Sequence, residues 1–354
     1  MRVALVSITK PTLGSGIGTT EYTHFIYEGL KRLRSVHVDL IYATEDPNKT
    51  DIFGMLYMNT LFKSRIRRLA KEPYDVIHIV SHEMGFAAKI LKENGSKAKI
   101  VTKLHDFLRF EKDFNRGIMQ KIYNHLVKWN IDDTVDYSDV LLFNSTQTRD
   151  EALQKYGKRI KKYAIVNDGI KDVFIKTPLK KKSKNRIFTI GYIGALAYHK
   201  NAIELLKASR HLDQNSFRFM IYGSGYELKN LKAYIKAHKI SNVELAGFAP
   251  ESRIVGIYDS FDAFVFPSIY EGFGIPIIEA QARGLPVIIL RDARIPKEVR
   301  KYCFEAVDEK EMAKILKNLK LLWYDKKIQR NAMSYARSLT LQKEFKETFE
   351  AYNL

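Results

Sequence analysis

Short apolar runs separated by segments of helical periodicity recur along the whole chain, and this alternation constrains the fold more than any other feature. Runs at 3–8, 36–42, 75–80, 99–103, 139–144 and 163–166 read as buried strands. Between them, 19–33, 61–70, 85–92, 119–129 and 146–156 read as helices; in the first, Tyr22, Phe25, Ile26, Gly29, Leu30 and Leu33 fall at helical spacing. Strand alternating with helix predicts parallel sheets covered on both faces. The charge run from Lys176 to Arg186, broken by Pro178, reads as a solvated linker. The alternation then restarts, with strands expected at 188–194, 217–222, 243–246, 263–266 and 287–290. Helices are expected at 201–211, 227–237, 253–261, 275–283 and 309–323, and the tail 326–353 reads as helical throughout. The chain is thus expected to be α/β, with two doubly wound domains whose ligands gather at the carboxyl ends of the strands.

A length of 354 residues suits two domains. A single cysteine, Cys303, excludes an intrachain disulfide and a cysteine-based metal cluster, and fits a reducing compartment. The opening run Met1–Ile8 is short for a signal peptide, and no window has the apolar length of a membrane span. The expectation is a cytoplasmic protein, soluble or peripheral on the inner face of a membrane. The net charge of +19 fits three kinds of anionic partner: nucleotide-linked substrates, lipid headgroups and nucleic acid. Most of that charge reads as an ordinary solvated, lysine-rich surface. No stretch interleaves aromatic residues with arginines as a stacking platform requires, so no nucleic acid is expected.

The densest chemistry lies at Glu271-Gly272-Phe273-Gly274-Ile275-Pro276-Ile277-Ile278-Glu279. Gly272 and Gly274 let the backbone approach a ligand closely. The helix beginning at Ile275 turns free N–H groups toward that ligand, which suits a phosphate. Glu271 and Glu279 are carboxylates suited to paired sugar hydroxyls. Upstream, Gly14-Ser15-Gly16-Ile17-Gly18 follows the first strand and resembles a phosphate-cradling turn, a weak signal by itself. His105, with Asp106 beside it, ends a strand where a substrate group would lie. His78 is expected to face the core, and His82 is a weaker candidate. Gly194 ends another strand ahead of Lys200, which is expected to open a helix and add its charge to the helix dipole. Gly223-Ser224-Gly225 is a further strand-to-helix turn with small residues.

Taken in order, Gly14–Gly18, His105-Asp106, Asn167-Asp168-Gly169, Gly194 with Lys200, Gly223-Ser224-Gly225, Ala246-Gly247 and Glu271 with Glu279 resemble the family-four retaining glycosyltransferases, the glycosyl transferases group 1. The segment from Pro267 through Val287 is specific to that pattern. The resemblance implies the GT-B fold: two Rossmann-like domains facing each other across a cleft. The boundaries are then an acceptor-side domain at 1–172, a linker at 173–186, a nucleotide-sugar domain at 187–335, and a C-terminal helix at 336–354 crossing back to the N-terminal domain.

The resemblance also implies roles. Glu279 would accept hydrogen bonds from a ribose, and Glu271 would hold hydroxyls of the transferred sugar. Gly272, Phe273, Gly274 and Ile275 would line sugar and distal phosphate. Gly16 and Ile17 would close over the phosphates, with Gly194 and Gly223 leaving room, and Phe248 would lie near the base. Lys200 would neutralise the leaving diphosphate, and His105 would touch the sugar or acceptor. The implied donor is a GDP- or UDP-linked sugar, with no cofactor and no metal. The family usually carries an arginine just after the glycine that ends the first strand of the second domain; here that place is Ala195. Lys200 acts alone there, or His199 or Arg253 substitutes. A nucleotide-sugar epimerase and a catalytically impaired relative are the alternatives. For the acceptor side, 59–71 sets Leu61, Phe62, Ile66 and Leu69 against Lys63, Arg65, Arg67 and Arg68. The stretch 116–129 sets Ile118, Ile122, Leu126 and Trp129 against Lys121 and Lys128. Both patterns suit an anionic membrane surface or a lipid-linked acceptor, although ordinary surface helices share them.

Overall fold

The computed structural model describes residues 1–11, 18–45, 62–105, 118–179, 187–322 and 325–354, with the side chains at 18, 118–126 and 322 left aside. Gly14, Gly16, Ile17, Asp106, 59–61 and 116–117 lie outside the described residues. In chain order the elements are β1 (Arg2–Thr9), α1 (Gly18–Lys31), β2 (His37–Thr44), α2 (Lys63–Leu69), β3 (Val76–Ile79), α3 (Gly85–Glu93), β4 (Lys99–Leu104), α4 (Ile118–Tyr137), β5 (Val140–Phe143), α5 (Thr146–Tyr156) and β6 (Tyr163–Ile165). There follow α6 (Asp172–Lys176), β7 (Phe188–Ile193), α7 (Ile203–Ser209), β8 (Phe217–Tyr222), α8 (Leu228–Ala237), β9 (Val243–Gly247), α9 (Ile254–Ser260), β10 (Ala263–Val265) and α10 (Ile275–Ala282). The chain ends with β11 (Val287–Leu290), α11 (Lys297–Arg300), β12 (Phe304–Ala306), α12 (Glu309–Leu322), α13 (Lys326–Ser338) and α14 (Leu341–Ala351).

Two compact units result: Met1–Asn167 together with Gln342–Leu354, and Asp168–Leu341. The first holds a parallel sheet in the order β2-β1-β3-β4-β5-β6. Side chains alternate across it, so Ala4, Val6, Ile77, Ile79 and Ile100 feed one core while Val3, Leu5, Val76, Val101 and Val140 feed another. The second unit holds a parallel sheet in the order β12-β11-β10-β7-β8-β9. Its strand order reverses between β7 and β10. The loops after those two strands therefore diverge and leave a crevice, the place where such sheets take ligands.

Several expectations are corrected. The tail is two helices, broken at Leu339 and Thr340, where Ile170 and Thr340 form an isolated bridge. The expected linker opens with α6, whose Phe174 is buried. Arg283 holds the chain there: its guanidinium is bidentate to Asp259 (2.8 and 2.9 Å) and donates to the carbonyls of Phe174, Thr177 and Pro178. Composition showed only the charged end of this segment. Trp129 does not join the buried face of α4; it is 59% exposed, and Val127, Ile131 and Val135 are buried instead. The apolar side of α2 is not available to a membrane, because Phe62, Ile66 and Leu69 are buried in the unit's own core.

Candidate active site

The crevice of the second unit is built from four strand ends. Gly194 follows β7, and its N–H donates to Tyr222 O at 3.1 Å. Leu196 N donates to Ser224 O (2.8 Å), and Gly223 N to Gly247 O (2.7 Å), so the turns after β7, β8 and β9 are stitched side by side. Gly223 has φ 151°, and a Cβ there would stand 1.9 Å from Gly194 O. Only glycine permits that approach. Phe248, just beyond β9, is 63% exposed.

The expectation that Lys200 opens a helix is corrected: it ends a single 3₁₀ turn, Tyr198–Lys200, and Asn201 then takes a left-handed conformation before α7. This turn is tied to the loop after β10. Ile269 N donates to His199 O at 2.8 Å, and Ser268 Oγ lies 3.1 Å from the same carbonyl and 2.9 Å from Tyr270 O. Glu271 N donates to Arg294 O, and Arg294 N to Ile269 O, both at 2.9 Å. These bonds bring two distant residues together: Lys200 Nζ lies 2.7 Å from Glu271 Oε1 and 2.9 Å from Oε2. The ammonium also sits 5.4 Å from the centre of the Phe266 ring.

After Glu271 the chain passes Gly272 and the buried Phe273, then turns at Gly274 (φ 102°, ψ 48°) into α10. A side chain at Gly274 would be strained. Pro276 stands in the first turn of α10, where its missing N–H costs nothing. One turn on, Glu279 Oε2 accepts a 2.7 Å hydrogen bond from the hydroxyl of Tyr258. Burial, reinforced by the charge of Glu279, holds that phenol protonated well above its ordinary range. Tyr192, likewise pushed up by burial and then by Glu271, donates to Ala195 O at 2.9 Å. Ala195 itself is exposed. Sequence reasoning missed Tyr258, Tyr192 and Ser268. Ser268 lies inside the segment 267–287 that carries the family resemblance, but nothing local to Tyr258 points across to Glu279.

His105 stands in the first unit, just past β4. Its Nε2 lies 2.9 Å from Val80 O, and its carbonyl accepts from Asn144 Nδ2 at 2.5 Å. A nitrogen that meets a carbonyl carries a proton, so Nε2 is the donor in this contact. His78 is fully buried, and His82 is buried as well. Among the described residues, no group of three or more His, Cys, Asp or Glu side chains could hold a metal ion. No helix there is long and apolar enough to cross a membrane.

Parallel sheets of these orders, each covered by helices, define a doubly wound α/β protein. Residues 18–172 match the family model described as Glycosyltransferase Family 4, and residues 174–339 match that of Glycosyl transferases group 1. The chain belongs to the group 1, family-four glycosyltransferases. It is similar to the UDP-Gal:alpha-D-GlcNAc-diphosphoundecaprenol alpha-1,3-galactosyltransferase of Escherichia coli, 24% identical over 64% of this chain. That match takes in 60% of the relative's own length, and matches to two further curated relatives take in 26% and 30% of theirs. Among solved structures, it resembles sucrose-phosphate synthase from Thermosynechococcus elongatus (TM-score 0.79, 16% identity, 99% of this chain and 98% of that one). It also resembles Anabaena HepE in complex with UDP-glucose (TM-score 0.75, 16% identity, 99% and 100%). At these identities the likeness is one of fold, and the fold is GT-B.

Proposed function

We propose that this chain moves a hexose, with retention at the anomeric carbon, from a UDP- or GDP-linked sugar to a hydroxyl of a lipid-linked or glycan acceptor. The observation that carries the reading is the clasp of Lys200 by Glu271 at the strand-order reversal, directly before the start of α10. A diphosphate entering there competes for the ammonium. Lys200 turns to the phosphates, which releases Glu271 to accept from sugar hydroxyls; Glu279 accepts from the ribose. As the bond between sugar and phosphate breaks, negative charge grows on the diphosphate. Lys200 and the amides around Gly274 stabilise it, with no metal required. Front-face attack fits, the leaving phosphate taking the acceptor's proton, and His105 touches the sugar or the acceptor.

The relatives' names support the donor and acceptor classes. One acts with UDP-Gal on a diphosphoundecaprenol-linked sugar, and another is solved with UDP-glucose. The test is a thermal-shift screen of UDP, GDP and their sugars, since a ligand of the folded state raises the melting temperature by mass action. Release of nucleoside diphosphate from the binding sugar is measured next. A rise with one nucleotide series, followed by release, supports the reading; no rise with any of them sinks it.

A further inference from the structure

Beneath His105, the end of the chain closes a buried polar cluster. Lys103 lies within β4, two residues before His105. It is fully buried, its Nζ 2.5 Å from Glu344 Oε1 on α14 and 4.0 Å from the centre of the Tyr22 ring. The Tyr22 ring stands edge-on to His105 (centres 5.3 Å apart, 78°) and to His78 (5.9 Å, 70°). His78 in turn lies between two hydroxyls, Tyr22 at 3.4 Å from Nε2 and Tyr352 at 2.7 Å from Nδ1. Tyr22 is therefore supported twice, by the Lys103 cation on its face and by His78 at its hydroxyl. Each support ends on a C-terminal residue, Glu344 or Tyr352.

A core needs no such cluster for stability. Apolar side chains of similar volume fill the space at lower desolvation cost than a buried lysine and glutamate. What the cluster does supply is a fixed wall. Val80 O holds one nitrogen of His105, and the edge of Tyr22 limits the tilt of the ring about that bond. A group that acts on a reacting atom has to be held within about 0.5 Å, which takes a supporting layer of this kind.

We propose that Glu344 and Tyr352 are positioning residues for His105, acting through Lys103, His78 and Tyr22. The inference rests on the reading above, in which His105 touches the sugar or acceptor. It assigns the C-terminal helix a part in the reaction as well as in packing.

The test uses the full chain and the release of nucleoside diphosphate from UDP-glucose, UDP-galactose or GDP-mannose. Tyr352→Phe is expected to lower kcat roughly fivefold or more, with donor KM within about twofold and the melting temperature little changed. In a His105→Ala background the same substitution is expected to change kcat by less than about twofold, because residues acting as a unit are not additive. Glu344→Gln is expected to lower kcat in the same way; should it fail to fold, the paired Lys103→Met and Glu344→Leu removes both charges together, and it is expected to show the same kcat loss and the same dependence on His105. Lys346→Ala, on the exposed side of α14, serves as the control with unchanged kcat. A loss that persists undiminished in the His105→Ala background, or kcat unchanged in both Tyr352→Phe and the paired variant, overturns the positioning role alone. Unchanged kcat in His105→Ala removes His105 from the reaction and takes this inference with it. No release from any of the three donors overturns the transferase reading itself.

Discussion

Glu271 spreads both carboxylate oxygens across the ammonium of Lys200, at 2.7 and 2.9 Å, although the two residues are far apart in the chain. Their side chains are 9% and 18% exposed. Taking one partner away leaves a poorly solvated charge, and in the proposed reaction losing Lys200 also removes the cation offered to the leaving diphosphate. Lys200→Ala is expected to slow nucleoside diphosphate release on the order of 100- to 1,000-fold, the effect of losing a group aimed at developing charge. The melting temperature should fall by only a few degrees, and Lys200→Arg should recover part of the rate. Unchanged turnover in Lys200→Ala would remove the lysine from the mechanism.

Tyr258 reaches Glu279 from α9, at 2.7 Å. A hydrogen bond to a charged group contributes about 1.5–3 kcal/mol. Tyr258→Phe keeps the ring and its packing but lets the carboxylate swing. If Glu279 holds the ribose, nucleoside diphosphate affinity should weaken several-fold while kcat on saturating donor stays near that of the unsubstituted chain. Calorimetric titration with UDP or GDP reads the first quantity and donor turnover the second. Affinity equal to the unsubstituted chain's would place the ribose elsewhere.

Which parts of the molecule were legible depended on how local their causes are. Strand positions follow from apolar runs and helices from a short repeat, so β8 and β11 match their expected bounds and most others shift by a residue or two. β12 and α11 were missed because three and four residues carry too little periodicity to read. The loop after β10 was legible because glycine, proline and two glutamates crowd into nine residues. Its partner Lys200 could be named, but not the turn that presents it, because that turn is set by His199 O accepting from Ile269 N, 70 residues further along the chain. Glu344 and Tyr352 were unreadable for the same reason: Lys103 looks like any other lysine until α14 is laid against it.

The burial of Phe62, Ile66 and Leu69 changes what a membrane can find on α2. Arg65, Arg67 and Arg68 remain exposed, so the helix offers charge without an apolar face. Contact with an anionic surface would then be electrostatic, worth about 1 kcal/mol per basic residue near the surface and screened beyond about 8 Å at physiological salt. The chain is expected to float with vesicles rich in phosphatidylserine at low salt and to be released near 0.5 M salt, a concentration chosen for its short screening length of roughly 4 Å. Arg65→Glu with Arg68→Glu should weaken the flotation. Binding that survives high salt would point to apolar insertion through some other surface.

His78 makes the first unit sensitive to acid. Burial, helped by the positive charge of Lys103 and then by His105, pushes its imidazole down to about 3. Unfolded, the same ring titrates near 6.5. Between these values the unfolded chain binds a proton that the folded chain refuses. The contribution is therefore fully present above pH 6.5 and is lost as pH falls toward 3. Each pH step in that window costs about 1.4 kcal/mol, on the order of 3 kcal/mol by pH 4. His78→Gln keeps a polar side chain near Tyr22 and Tyr352 but cannot take up the proton. Urea unfolding at pH 7 and pH 4 should show the unsubstituted chain losing more stability than His78→Gln. Equal losses would mean that the acid sensitivity comes from the carboxylates, and that the ring accepts its proton without leaving the core.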